Sequence, residues 1–401
     1  MDQHTQIDIA PQRSLLVWFS AGHLANDWAP AAIWLLAPAI ALAMDLSPAE
    51  VGLLIALHSV GAALAYLPAG VLADRVGSRG GLLAATFWWV AVGYMVASFA
   101  PGFWSLALLL AIAGMGDAAW HPIATGVLTQ ASPKRRAHVL GLHAVGGTLA
   151  EVLAPLSIGF LLSWFDWQQV LQISVLPAIA GGIAFWFIRH RVPHSPTTAI
   201  SWSDVRQLCR IWCSLKGARM LAMISFYNMA LMAVLSMTPL YLQCIHGYSP
   251  ATTGLIFSGM LLFGALLQPY VGLGSDLIGR RAVFFAGNLI AAITAAMIYL
   301  MTDPIVIIGL LVVVASVLTG IRSAALAAAI DFVGHRESTT LGLAFALMDG
   351  VGALGGALAG LAAWYDLPYA FIVAAILSSC AAILSLTMPA AVGAVVTTSQ
   401  H

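Results

Sequence analysis

Polar and apolar residues in this chain neither alternate nor settle into amphipathic stripes. They segregate into long apolar runs broken by short polar joints. Runs of about 20 residues are long enough for a helix to cross a ~30 Å hydrocarbon core. They fall at 14–43, 51–72, 80–100, 102–124, 137–163 and 168–188. Past a polar stretch they resume at 218–245, 251–273, 280–301, 303–330, 338–364 and 367–390. The pattern predicts an all-α membrane protein with twelve transmembrane helices, numbered here as spans 1 to 12. It divides into a six-helix half at 1–188, a cytoplasmic linker at 189–217 and a second half with a short tail at 218–401. The first run does not read as a cleavable signal, because it is long, contains Asp27 and leads directly into further spans.

Composition strengthens this reading: 61% of residues are hydrophobic and 8% charged, against about 25% charged in soluble domains. Formal net charge is zero, which gives no basis for a nucleic-acid partner. Cys209, Cys213, Cys244 and Cys380 lack metal-ligand spacing.

The distribution of Lys and Arg sets the orientation. Arg13 precedes span 1, Arg75 and Arg79 join spans 2 and 3, and Lys134, Arg135 and Arg136 join spans 4 and 5. Six more basic residues lie between spans 6 and 7, Arg280 and Arg281 follow span 8, and Arg336 joins spans 10 and 11. The alternate joints hold Asp45, Glu50, Asp166, Asp303 and Asp366 and no Lys or Arg. Both termini are therefore expected in the cytoplasm. The remaining basic residue, Arg322, lies inside span 10.

The halves also repeat each other. LSPAEVGLL (46–54) aligns with YSPATTGLI (248–256), and GVLADRVGSR (70–79) with GLGSDLIGRR (272–281), both at a shift of 202 residues. WFDW (164–167) echoes WYDL (364–367). Parallel repeats of this kind build many transporters. In the repeated loop, Gly70 and Gly77 suit a close helix approach and a tight turn. Asp74 is placed to cap a neighbouring helix or pair with Arg75 or Arg79. The second copy offers Asp276, Gly279 and Arg281. A duplicated acid is more than topology requires, so the loops are expected to form a gating latch.

Ionisable residues within a span are costly and usually face a cavity. Here they are His23 and Asp27 in span 1, His58 in span 2, Asp117 and His121 in span 4, His143 and Glu151 in span 5, Arg322 in span 10 and Asp349 in span 11. The interiors of spans 3, 6, 9 and 12 hold none. His23 and Asp27 are four residues apart, as are Asp117 and His121, so each pair shares a helix face. A carboxylate beside a histidine suits proton handling near neutrality; an interhelical ion pair or hydrogen bond is the structural alternative for each of these residues. Arg322 is a fixed cation for an anionic substrate or a carboxylate. Gly352, Gly356 and Gly360 form a small-residue ridge for close packing beside Asp349. Trp28, Trp34, Trp120 and Tyr227 are candidate cavity aromatics, with plain packing as the alternative.

The loop G-x-L-A-D-R-x-G-x-R at 70–79 resembles the signature of the major facilitator superfamily, as do the span count, the repeat and the central linker. Ser78 and Leu277 stand where that signature usually carries basic residues. That likeness implies that spans 1, 4, 7 and 10 line a central cavity and spans 3, 6, 9 and 12 face lipid. HLANDW in span 1, GMGDAAWHPIATGVL (114–128) and GLHAVGGTLAEVLAPL (141–156) resemble its fosmidomycin-resistance branch. The branch implies proton-exchanging export of a drug or small molecule, with His23, Asn26, Asp27, His121 and Pro122 at typical positions. Asp117 and Glu151 are additional acids relative to that branch.

The leading expectation is a secondary active transporter working by alternating access. It would be a proton-coupled antiporter exporting a small molecule, multi-pass and monomeric in the lipid bilayer of a bacterial inner membrane, without a cofactor. The alternative is transport of a divalent metal ion or chelate by His23, Asp27, Asp117 and His121. An enzyme is not expected, since no nucleotide-binding loop, nucleophile motif or sizeable cytosolic domain is present.

Overall fold

A computed structural model describes residues 9–132, 136–193, 206, 210–333 and 337–388. Lys134, Arg135, Cys209 and Arg336 lie outside the described residues. Among the described residues all regular structure is helical, and eleven helices are long and apolar enough to cross a membrane. A shorter apolar helix, Tyr369–Ser385, follows in the place of span 12.

The polar joints between spans are built as helix caps. Ser47 starts span 2 (Pro48–Arg75) with a capping box: its Oγ accepts from the Glu50 amide at 3.3 Å, and Glu50 accepts from the Ser47 amide at 2.8 Å. Ser249 starts span 8 (Pro250–Ile278) likewise, accepting from the Thr252 amide at 3.2 Å. Proline follows each serine, where a missing amide hydrogen costs nothing. The repeated Ser-Pro of the sequence is thus a repeated helix start. Asp166 and Asp303 cap the helices starting at Trp167 and Pro304 by accepting from backbone amides. Glu50, Asp166 and Asp303 are therefore built into helix starts.

Two spans carry a one-residue irregularity. Span 6 is Trp167–Ser174 followed by Leu176–Ile188, with the irregularity just before Pro177, which can donate no helical hydrogen bond. Span 10 is Pro304–Gly320 followed by Arg322–Val333, with Ile321 between them in helical conformation. Arg322 follows directly on that irregularity, inside a span that runs through it.

Spans 2 and 5 belong to the first half, 8 and 11 to the second, and they pair across the middle: 2 along 11, 5 along 8. Glycine permits the closest approaches. A Cβ on Gly360 would lie 2.6 Å from the Pro48 carbonyl, and one on Gly159 2.6 Å from the Pro250 carbonyl. Both crossings sit at the ends capped by Ser47 and Ser249, and there the halves are closed together. Along span 8 the side chains of Thr253, Phe257, Met260 and Leu261 are buried, whereas Leu266, Tyr270, Leu273 and Leu277 are exposed. Span 7 (Leu215–Cys244) is the most enclosed, 78% buried over its apolar window against 39% for span 8. The peripheral helices show bulky apolar side chains outward, among them Trp88, Trp89, Trp186, Phe187, Ile293 and Ile376.

Candidate functional site

Span 1 (Ile9–Met44) presents His23, Asn26 and Asp27 on adjoining faces one turn apart, and span 4 (Phe103–Ala131) presents Asp117 and His121. The two sets meet. His23 Nε2 lies 3.1 Å from Asp27 Oδ2, and His121 Nε2 lies 3.9 Å from Asp27 Oδ1 and 3.9 Å from Asp117 Oδ1. Asn26 joins the two acids: its Nδ2 donates to Asp117 Oδ1 at 2.6 Å and to Asp27 Oδ1 at 3.3 Å. A single amide thus holds two carboxylates that would otherwise repel at short range.

Span 5 (Arg136–Leu161) supplies the wall. The His143 carbonyl faces His23 Nδ1 at 2.9 Å, and the two imidazoles stack with centroids 4.3 Å apart. Gly147 leaves room for the His23 ring, since a Cβ there would be 2.6 Å from its Nε2. His143 is buried, while His23, Asp27 and His121 keep 13%, 18% and 21% of side-chain exposure. The cluster is shielded but reachable by water.

The remaining span-interior ions tie the halves together. Glu151 Oε1 of span 5 lies 3.6 Å from Arg322 Nη1 of span 10. Asp349 Oδ2 of span 11 accepts from the Tyr66 hydroxyl of span 2 at 2.6 Å. Tyr66 escapes a search of the sequence for ions, because a tyrosine in an apolar helix reads as packing. Its neighbourhood offers one signal: it falls two helical turns after His58 on the same span. His58 itself bonds the Tyr94 hydroxyl of span 3 at 2.5 Å, away from the cluster. Of the aromatic candidates, Trp120 and Tyr227 are fully buried; Trp120 packs with Phe19, Phe87 and Phe185, so it belongs to the core and not to a cavity wall. Tyr227 donates to the Leu318 carbonyl at 2.8 Å, one turn before Arg322.

The two repeated loops differ in detail. Asp74 pairs with Arg79 at 3.2 Å; Arg79 is buried and also donates to the Ala73 carbonyl, whereas Arg75 is exposed. In the second copy Asp276 pairs with Arg280 at 2.5 Å, not with the aligned Arg281; the chain turns at Gly279 between the two partners. Arg280 also reaches Asp331 at 3.2 Å, so one arginine joins two acids at this loop. A Cβ on Gly77 would meet nothing within 4 Å, and one on Gly70 only Pro122 at 3.7 Å, so close packing requires neither glycine in this state. Gly279 does need its freedom, with φ 94°.

Comparison with known proteins agrees with this architecture. The family model described as Major Facilitator Superfamily matches residues 19–252 and 242–394. The fosmidomycin resistance protein of Escherichia coli K12 is 24% identical over 353 residues, 86% of this chain and 85% of that protein. A putative metabolite transport protein of Haemophilus influenzae is 25% identical over 290 residues, 66% of this chain and 68% of that protein. Among solved structures, a bacterial homolog of the human lysosomal transporter Spinster, in an inward-facing and occupied conformation, superposes with a TM-score of 0.79 at 17% identity. That superposition covers 94% of this chain and 96% of the other. With repeated sequence, spans paired across the middle and a family match running through both parts of the chain, the chain belongs to the Major Facilitator Superfamily.

Proposed function

We propose that this chain is a proton-coupled antiporter that exports a small molecule across the bacterial inner membrane by alternating access. The observation that carries the reading is Asp27, a carboxylate held within reach of His23 and His121 and bridged by Asn26 to a second acid, inside otherwise apolar helices. A protein that only needed to hold its helices together would gain little from so many costly groups around one point. The His23 Nδ1 is committed to the His143 carbonyl, which leaves Nε2 and the Asp27 carboxylate as neighbouring sites for one exchangeable proton. Protonation lowers the charge of the cavity before it turns to the other side; cargo displaces the proton there.

The halves closed at the Ser47 and Ser249 ends, opposite the basic loops, fit a state open to the cytoplasm. Turning outward requires the Tyr66–Asp349 and Arg322–Glu151 contacts to adjust, because each joins helices of opposite halves. The likeness to a fosmidomycin resistance protein favours export of a drug-like or metabolite-like solute. Purified chain in proteoliposomes with an imposed pH gradient tests the reading. Solute flux should follow the gradient and vanish in Asp27→Asn; flux that ignores both overturns proton coupling.

A further inference from the structure

His23, Asp27 and His121 each present one donor atom, and the three donors all lie within 4.8 Å of one another. Around a tetrahedral ion with bonds near 2.1 Å, neighbouring ligand atoms sit about 3.4 Å apart. The 3.1 Å and 3.9 Å distances run to the two different oxygens of Asp27, and the three donors are held within 4.8 Å, so side-chain movements of about an ångström would complete the geometry.

The hydrogen bonding of His23 makes the case more specific. A backbone carbonyl only accepts, so at 2.9 Å from the His143 carbonyl the Nδ1 atom must carry the ring hydrogen. A neutral His23 then turns the Nε2 lone pair toward Asp27 Oδ2, 3.1 Å away. Two acceptors so close call for a cation between them, a proton or a metal ion. Metal-binding histidines are held in this manner, with one nitrogen tied to a carbonyl so that the other is aimed and deprotonated. Gly147 keeps side-chain atoms away from that nitrogen.

The donor set is two imidazoles and one carboxylate, a common set for a divalent cation. Asn26 fixes Asp117 beside His121 as a supporting acid rather than as one of the three clustered donors. From the other packed elements the facing groups are His143 and Glu151 of span 5, Tyr66 of span 2, Arg322 of span 10 and Asp349 of span 11. Arg322 lies against Glu151, and Asp349 takes the Tyr66 hydroxyl, so these two acids have partners of their own.

We propose that His23, Asp27 and His121 bind a first-row divalent transition-metal ion, and that this ion is part of the cargo. Mixed imidazole and carboxylate donors suit zinc, cobalt and nickel better than magnesium or calcium. Three protein ligands leave a coordination position toward the cavity, open to water or to a small chelating acid that travels with the metal. The cargo role rests on the transporter reading above; the binding site does not. Because ligation needs neutral histidines, protons and metal compete, and each can drive out the other.

The test uses full-length protein in detergent, purified with a tag that contains no histidine. Titration with Zn²⁺ and Co²⁺ at pH 7.5 should give one ion per chain, with Kd on the order of a micromolar or tighter. His23→Ala and His121→Ala should each weaken binding by about tenfold or more, with His121→Gln as the gentler variant where alanine harms folding. His58→Ala, in the histidine bonded to Tyr94, should leave binding unchanged. No stoichiometric binding, or binding indifferent to His23 and His121, overturns the site. Proteoliposomes then separate the cargo sources: flux of bare Zn²⁺ identifies the ion, and flux only with citrate present identifies the complex. Proton-driven flux of an organic solute with no metal bound overturns the metal site and keeps the transporter. Stoichiometric metal binding with no proton-driven flux of any solute overturns the transporter reading and keeps the site.

Discussion

The two halves share one plan and differ in chemistry, and the asparagine at the same place in each shows how. Asn26 and Asn228 are 202 residues apart, the shift that also aligns the repeated loops. Asn26 bridges two carboxylates; Asn228, fully enclosed, donates to the Met348 carbonyl of span 11 at 2.5 Å. Around Asn26 stand His23, Asp27, Asp117 and His121, whereas the aligned positions around Asn228 hold Ser225, Met229, Thr319 and Ser323. The duplicated frame is thus loaded on one side only. The first half carries the His/Asp cluster, and the second half contributes Arg322 and Asp349, each paired with a residue of the first half. The latch loops follow the same division: Arg79 is 1% exposed, while Arg280 pairs with acids that are 58% and 61% exposed.

The largest effect should come from setting Asp27→Asn against Met229→Ala. Gradient-driven flux in proteoliposomes should drop roughly 100-fold or to background in the first, on the scale of lost proton-transfer groups, and by no more than a few-fold in the second. Equal losses would mean that the halves share the coupling.

Second in size is the pair of glycine crossings. A Cβ at Gly159 or Gly360 would drive into the backbone of the opposite half. Gly159→Leu and Gly360→Leu should each cost the closed arrangement about 1–3 kcal/mol. Cysteine labelling near Ser47 and Ser249 should then rise in both. A rise at only one end would show that the crossings act separately.

Third, Asn26→Ala should cut flux about tenfold, the equivalent of ~1.4 kcal/mol, by releasing two carboxylates from their bridge. Asn228→Ala should instead lower thermal stability by about 1–3 kcal/mol through an unpaired buried carbonyl, with flux retained. Flux assays and melting curves on the same two variants separate these outcomes. The smallest contrast is at the latches. Asp74→Asn leaves Arg79 buried without its counter-charge and should destabilise by about 1–3 kcal/mol. Asp331→Asn removes an exposed pair and should change melting by less than ~1 kcal/mol.

Much of this contrast is visible in the sequence. Four-residue spacing places His23 with Asp27 and Asp117 with His121, and the cost of charge in lipid marks them as unusual. Helix periodicity describes one helix at a time, however, and cannot say that span 1 faces span 4, or that Glu151 reaches the arginine of the other half. Tyr66 carries no charge, so only its place two turns after His58 hints at its bond to Asp349. Alignment of the repeats picks Arg281, but the turn at Gly279 brings Arg280 to Asp276 instead. The irregularity in span 6 has a proline behind it and is readable; the one at Ile321 has only the preceding Gly320, a weak sign inside an apolar run.

The last turns of span 10 have a mechanical consequence. The stretch Arg322–Val333 is a helical rod of 12 residues, about 18 Å long at helical rise. Arg322 at one end faces Glu151 of the opposite half, and Asp331 near the other end holds Arg280 of the repeated loop. A tilt imposed at one ion pair reaches the other as leverage, the way a rocker arm links a valve to its cam.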